Sequence, residues 1–362
     1  YLMTRPAVMH VDLDALQHNF SRVRALAPKS KIIAMVKANA YGHGAVRVAQ
    51  TLVEADAFGV ACLSEAVELR RAGLQNRIIL MGGFFEPDEL QTISELGFEI
   101  VVHQFWQIDA LQQARIAAPI KVWLKINLGM NRLGFVLSDF GEAYTKLSDC
   151  KNIIFPINLM THFADANAHD KAITEWQIKK FYEMTRHLPG ERSLANSAGI
   201  LTFPEAHANW VRPGIILYGV SPFENKVGYD HDLEPVMTLM SKLTAIAQCE
   251  KGDCIGYGRA YRCEENMPVG IVAIGYGDGY PRHAKNGTPV LVNDTICPLV
   301  GRVSMDMIAV DLRPCKQARV GDFVMLWGKD LPIEYVAKSA DTIPYELLCH
   351  VKRVAAAQSC AK

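Results

Sequence analysis

Eight short apolar runs, each leading toward a stretch with helical spacing, dominate the first two thirds of the chain. Strand-like runs recur near 32–36, 57–61, 78–81, 99–102, 120–126, 154–161, 193–196 and 209–212, with helical patterns such as 64–72 and 104–115 between them. The run 32–36 is continuously apolar, which suits a strand covered on both faces. This alternation predicts an α/β chain built on a (β/α)8 TIM-like barrel, although a doubly wound open sheet shares the periodicity. Polar side chains favour the barrel. Lys37, Arg132, His162, Ser197 and Arg212 fall at or just past the carboxyl ends of different strands, where barrel active sites are built.

The flanking segments have another texture. Residues 9–26 read as a short strand entering an amphipathic helix, with Asp12 or Asp14 as its cap. Beyond about Glu234 come short β-rich runs at 236–249, 269–273, 290–292, 307–311 and 323–327, punctuated by Gly, Pro and Asp. They predict a mostly antiparallel β domain, closed or sandwiched. The expected division is 1–232 for the barrel and 233–362 for the β domain, with 232–235 as linker. A strand at about 8–13 has the option of pairing with the β domain. With 362 residues, half of them apolar, the chain can bury cores for two domains.

Composition narrows the function. Net charge is zero and no long basic run occurs, so neither nucleic acid nor an anionic membrane is expected as partner. No run approaches the ~18 apolar residues of a membrane span. Arg5, His10, Asp12 and Asp14 interrupt any apolar signal core, and Tyr1 and Leu2 ahead of Met3 read as foreign to the natural start. Nine scattered cysteines without a Cys-x-x-Cys pair fit free thiols in a reducing cytoplasm.

The run Ile32-Ile33-Ala34-Met35-Val36 ends on Lys37 and then breaks into small residues. A lysine delivered from a buried strand is poorly solvated, which favours the neutral amine and its condensation with a carbonyl compound such as pyridoxal phosphate (PLP). Snorkelling to water is the simpler alternative. Ser197-Ala198-Gly199 and Arg212-Pro213-Gly214-Ile215 place a hydroxyl, a guanidinium and free amides after the last two barrel strands, a position suited to phosphate. A plain cap and a plain turn would use the same residues. Ala195 stands where a nucleophile elbow needs Gly, which excludes that motif. His162, Asp165, His169 and Asp170 match no metal-ligand spacing; no metal is expected, and His169 and Asp170 read as a helix start.

Longer strings carry a family resemblance. Val36-Lys37-Ala38-Asn39-Ala40-Tyr41-Gly42-His43-Gly44 and Lys125-Ile126-Asn127-Leu128-Gly129-Met130-Asn131-Arg132-Leu133-Gly134 resemble the alanine racemases. So do Gly256-Tyr257-Gly258, Gly275-Tyr276-Gly277-Asp278-Gly279-Tyr280-Pro281-Arg282 and Gly301-Arg302-Val303-Ser304-Met305-Asp306, in that order. The resemblance implies interconversion of L- and D-alanine, supplying D-alanine for peptidoglycan or consuming it. It implies PLP on Lys37, with Tyr41, His162, Ser197, Arg212, Gly214, Ile215 and Tyr345 around the cofactor and Arg212 facing the pyridine nitrogen. Arg132 would meet the substrate carboxylate. Tyr257 would be the second acid–base residue, reaching the barrel of a partner subunit, so that a homodimer is required. Tyr276 and Tyr345 would restrict the pocket to a methyl-sized side chain, with Met305 and Asp306 lining it from the partner. Lys125 matches a lysine carbamylated in several relatives, and Asn127-Leu128 replaces the usual Asp-Thr. Racemases or decarboxylases of other amino acids share the barrel and the lysine. PLP-carrier proteins share them too but lack the β domain.

Overall fold

Residues 5–358 are described by the computed structural model. Tyr1 and Leu2 lie outside them. In chain order, β1 (Val8–Val11) precedes β2 (Lys31–Met35), β3 (Ala57–Val60), β4 (Arg77–Leu80), β5 (Glu99–Val102), β6 (Ile120–Lys125), β7 (Ile153–Met160), β8 (Arg192–Ser193) and β9 (Trp210–Val211). Strands β2 to β9 close a barrel of parallel neighbours, with β9 returning to β2 through Lys31↔Trp210 and Ile32↔Val211. Every residue of β3 and β5 is buried, and apart from Glu99 both strands read as apolar runs.

The two strands that close the ring are shorter than the sequence pattern suggested. β8 stops at Ser193, because Asn196 is already the cap of the helix Ser197–Thr202 and accepts the Gly199 N–H at 3.0 Å. The helix expected at His169 and Asp170 starts at Ala172, whose amide donates to Asp170 Oδ1 at 2.9 Å. At the amino-terminal end of the barrel the buried Glu99 carboxylate accepts from Arg77 and from Trp123 Nε1. Polar groups there are spent on holding strands together, as that face of a barrel allows.

Among the described residues the second unit comprises 5–19, Tyr41–His43 and 218–358. Its strands are β1, β10 (Met237–Cys249), β11 (Cys254–Ile255), β12 (Tyr261–Arg262), β13 (Met267–Val272), β14 (Pro289–Val292), β15 (Thr295–Pro298), β16 (Ile308–Asp311), β17 (Phe323–Trp327) and β18 (Ala355–Gln358). The long β10 organises them: it pairs antiparallel with β1, β17 and β13, and β13 continues to β16. A bulge between Leu243 and Ala245 lets its second half take the second set of partners. β18 joins β1 in parallel, so the sheet is mostly antiparallel.

Residues 218–235, which the sequence assigned largely to the barrel, belong to this unit. Asn19 explains part of that: its side chain donates to Glu234 O and accepts from Glu234 N, both at 2.8 Å. Asp12, not Asp14, caps the helix Leu13–Leu26, its Oδ1 accepting the amides of Asp14 and Ala15 at 3.0 Å. Among the described residues no helix is long and apolar enough to cross a membrane.

Candidate active site

Lys37 leaves the end of β2 half-buried, just after Val36 has donated its amide to Gly59 O at 2.9 Å. The chain then turns left-handed. Ala38, Asn39, Ala40 and Tyr41 have φ of 52°, 53°, 52° and 53°. Such a conformation costs an L-residue roughly 1–2 kcal/mol. Glu65 offsets part of that cost, its Oε1 accepting the Ala38 amide at 2.8 Å and its Oε2 the Ala61 amide at 2.7 Å. Asn39 adds two bonds, from Ala45 N to its Oδ1 and from Gly44 N to its carbonyl, each 2.9 Å. Short side chains at 38 and 40 keep the turn feasible. Reading the sequence missed Glu65, whose one local signal is its place in the first turn of the helix Leu63–Arg71.

Four cations converge at the carboxyl ends of the strands. Arg212, one residue past β9 and 5% exposed, donates only to neutral groups. Its Nη1 meets Ser193 Oγ at 2.6 Å, and its Nη2 meets Thr161 O at 2.6 Å, Leu194 O at 3.1 Å and His162 Nδ1 at 3.4 Å. Burial pulls its pKa down to about 10. Because a guanidinium never accepts, His162 Nδ1 is the unprotonated nitrogen and Nε2 carries the hydrogen. Burial, then Arg212, Lys125, Arg132 and Lys37, hold that imidazole well below its ordinary value, so it is neutral. Lys125, the last residue of β6 and 8% exposed, is lowered to about 7 by burial and then by Arg212, Arg132 and Lys37. Lys37, Lys125, Arg132, His162 and Arg212 therefore form one electrostatically coupled group.

Ser197 opens its helix with a buried hydroxyl that accepts the Gly214 amide at 2.9 Å. Asn196 does the capping, so Ser197 is left to face the turn at Gly214 and Ile215.

In the β-rich unit Tyr257 stands 70% exposed on a short turn between β11 and β12, after Gly256 at φ 74°. A side chain at 256 would bring its Cβ within 3.0 Å of Arg302 N. Tyr276 and Gly277 are tied back to the carbonyls of Ser304 and Met305 at 3.0 and 2.8 Å, and Met305 is exposed. Asp306 is engaged by Arg353 and Arg5, and Arg5 also meets the buried Asp278 at 2.9 Å. Tyr41 stacks on Tyr218 with ring centroids 4.8 Å apart and lies 6.1 Å from Tyr345. Burial raises all three phenols, Tyr345 to about 12, so their hydroxyls stay protonated and able to donate.

Comparison with known proteins agrees along the whole chain. Residues 11–222 match the family model described as alanine racemase, N-terminal domain, and residues 236–358 match alanine racemase, C-terminal domain. An alanine racemase of Coxiella burnetii is 49% identical over 350 residues, covering 95% of this chain and 96% of its own. One of Shewanella loihica is 50% identical over 335 residues, covering 92% and 94%. The crystal structure of a biosynthetic alanine racemase from Pseudomonas aeruginosa superposes with a TM-score of 0.96 at 42% identity, covering 99% of this chain and 100% of that one. The alanine racemase of Acinetobacter baumannii gives 0.93 at 42% identity, covering 98% and 100%.

Proposed function

Since the chain belongs to the alanine racemase family and interconverts the two enantiomers of alanine, we propose that it does so with pyridoxal phosphate held on Lys37 and with Lys37 and Tyr257 as the two acid–base groups. The observation that carries this reading is the converging set of Lys37, Lys125, Arg132 and Arg212, with Arg212 satisfied only by neutral acceptors. A pocket of donors and positive charge needs anions, and a phosphorylated cofactor with an amino-acid carboxylate supplies them.

The residues suit such a cofactor. The Ser197 hydroxyl and the amides of Gly214 and Ile215 would receive the phosphate, with Tyr41 and Tyr345 as phenolic donors. Arg212 would face the ring nitrogen. A guanidinium donates but effectively never surrenders its proton, so the ring stays unprotonated and its electron withdrawal is moderated. When bound, PLP supplies the electron sink that acidifies the α-hydrogen of alanine.

Inversion at carbon needs a base on one face and an acid on the other. Lys37 takes the α-proton from D-alanine and Tyr257 takes it from L-alanine, each returning a proton in the opposite direction. Tyr257 is contributed by the partner subunit, making the active species a homodimer with shared sites. His162, with Nδ1 committed to Arg212, presents Nε2–H as the link from Arg212 to that phenol. Arg132 anchors the carboxylate, while Tyr276, Met305 and Asp306 bound the space for the methyl group. Lys125 carries a carbamate: its neutral amine adds CO2 and releases a proton, leaving an anion beside Arg132 and Arg212. The described cysteines are free thiols, which supports a cytoplasmic setting. There the reaction supplies D-alanine for peptidoglycan or consumes D-alanine.

The test is incubation of PLP-loaded protein with L-alanine and, separately, with D-alanine, following optical rotation. Convergence on the racemate from both sides with loss of activity in Lys37→Ala supports the proposal. Full activity in cofactor-stripped protein would end it.

A further inference from the structure

Arg132 makes no side-chain hydrogen bond or ion pair among the described residues, and it is exposed. Its direction is therefore set by the backbone that carries it. That backbone is a closed loop, residues 127–134, which leaves β6 after Lys125 and comes straight back. Phe135 N–H donates to Lys125 O and Asn127 N–H donates to Phe135 O, both at 2.9 Å. The pinch is tight: a Cβ on Gly134, at φ 124°, would lie 2.8 Å from Asn127 N. On the outward limb the Leu128 carbonyl accepts Gln177 Nε2 at 3.0 Å, fixing that side to the helix Ala172–Thr185.

The interior of the loop is held by one side chain. Asn127 Oδ1 accepts the amides of Gly129 at 3.1 Å and Asn131 at 3.0 Å, while its Nδ2 donates to Asn131 Oδ1 at 3.1 Å. Asn131 is the residue before Arg132 and is itself left-handed, with φ 52°. Two of the bonds from Asn127 thus end on the residue whose ψ decides where Arg132 points. Losing them frees the peptide that aims the guanidinium, although the loop base stays closed.

We propose that Asn127 is a positioning residue for Arg132, acting by fixing Asn131. The proposal rests on the reading of Arg132 as the anchor for the substrate carboxylate. Aspartate would accept the same two backbone amides, but asparagine does so without adding a second negative charge beside the proposed carbamate on Lys125, so Arg132 keeps its pull on a carboxylate.

The experiment compares the PLP-loaded wild type with Asn127→Ala, Asn127→Asp, Arg132→Ala and the double variant Asn127→Ala/Arg132→Ala, each checked for a cooperative melt. If Asn127 works through Arg132, Asn127→Ala raises KM for L-alanine about tenfold with kcat within about threefold. Asn127→Asp returns KM to within about threefold of wild type, because the Asn131 amide can turn to donate to the carboxylate. In the Arg132→Ala background, adding Asn127→Ala changes KM less than about twofold. Where turnover is too slow, the dissociation constant of propionate replaces KM. The proposal is overturned if Asn127→Ala leaves KM unchanged while Arg132→Ala raises it, or if Asn127→Ala raises KM by the same factor in both backgrounds. If Arg132→Ala itself leaves KM and propionate binding unchanged, the anchoring role of Arg132 is wrong and the proposal falls with it.

Discussion

In CO2-free buffer, where Lys125 stays an amine, replacing it by methionine should make the protein more stable, and by an amount that depends on pH. The folded amine titrates at about 7 against an ordinary 10.5. Unfolding therefore takes up a proton between those values, and the contribution of Lys125 to stability is least favourable at low pH and improves as pH rises through the window. Relative to a group that stays neutral, the penalty is about 4 kcal/mol at about pH 7 and about 2 kcal/mol at about pH 9. Methionine fills a similar volume and does not titrate. In CO2-free buffer its advantage over the wild type should therefore shrink by about 2 kcal/mol between those two pH values. With a urea slope of about 3 kcal/mol per molar, that is a change of about 0.7 M in the difference between unfolding midpoints. Other titrating groups cancel in the comparison. Bicarbonate should raise the wild-type midpoint and leave the variant's unchanged, because the carbamate replaces a repelled cation by an anion between arginines. Equal pH dependence of the two proteins without CO2 would refute the picture of Lys125 as a buried amine among cations.

Mixing Lys37→Ala with Tyr257→Phe, each inactive alone, should restore up to about a quarter of wild-type activity, since half of the dimers are hybrids with one intact shared site; no recovery after subunit exchange would place both groups in one chain. Tyr257→Phe should also slow α-proton exchange of L-alanine by about 10²–10⁴-fold in deuterium oxide. Arg212→Lys gives up most of the four hydrogen bonds of the guanidinium and should cost about 2–4 kcal/mol in urea unfolding. At Ala38, valine should destabilise by about 1–2 kcal/mol, and glycine should be close to neutral because relief of strain offsets its greater freedom when unfolded; a harmless Ala38→Val would mean the turn is not left-handed.

The barrel was legible because strands buried on both faces must be apolar throughout, and Ile32 to Val36 or Ile78 to Leu80 can hardly be read otherwise. Its short closing strands were overdrawn, since β8 gives way to a capped helix start that period-two patterns do not register. Lys37, His162, Ser197 and Arg212 could be named from their position after strands. Glu65 and Asn19 could not, because each serves backbone groups far away in the chain and leaves no periodic trace. The β-rich unit was harder throughout. The helices Ile333–Ser339 and Pro344–His350 and the parallel pairing of β18 with β1 depend on contacts between distant segments, which local pattern does not encode.

The left-handed turn after Lys37 also bears on the order in which the protein assembles. Nothing local favours four L-residues at positive φ, so the segment has no tendency to form before Glu65 is in place to hold the Ala38 amide. Glu65 reaches it from the helix after β3, which requires β2 and β3 to be paired already. Substitutions at Ala38 should then speed unfolding and leave the folding rate nearly untouched, with a φ-value near zero. Lys37 reaches its final setting only after β2 and β3 have paired, so a cofactor bound there, as proposed, would select chains in which that pairing is complete.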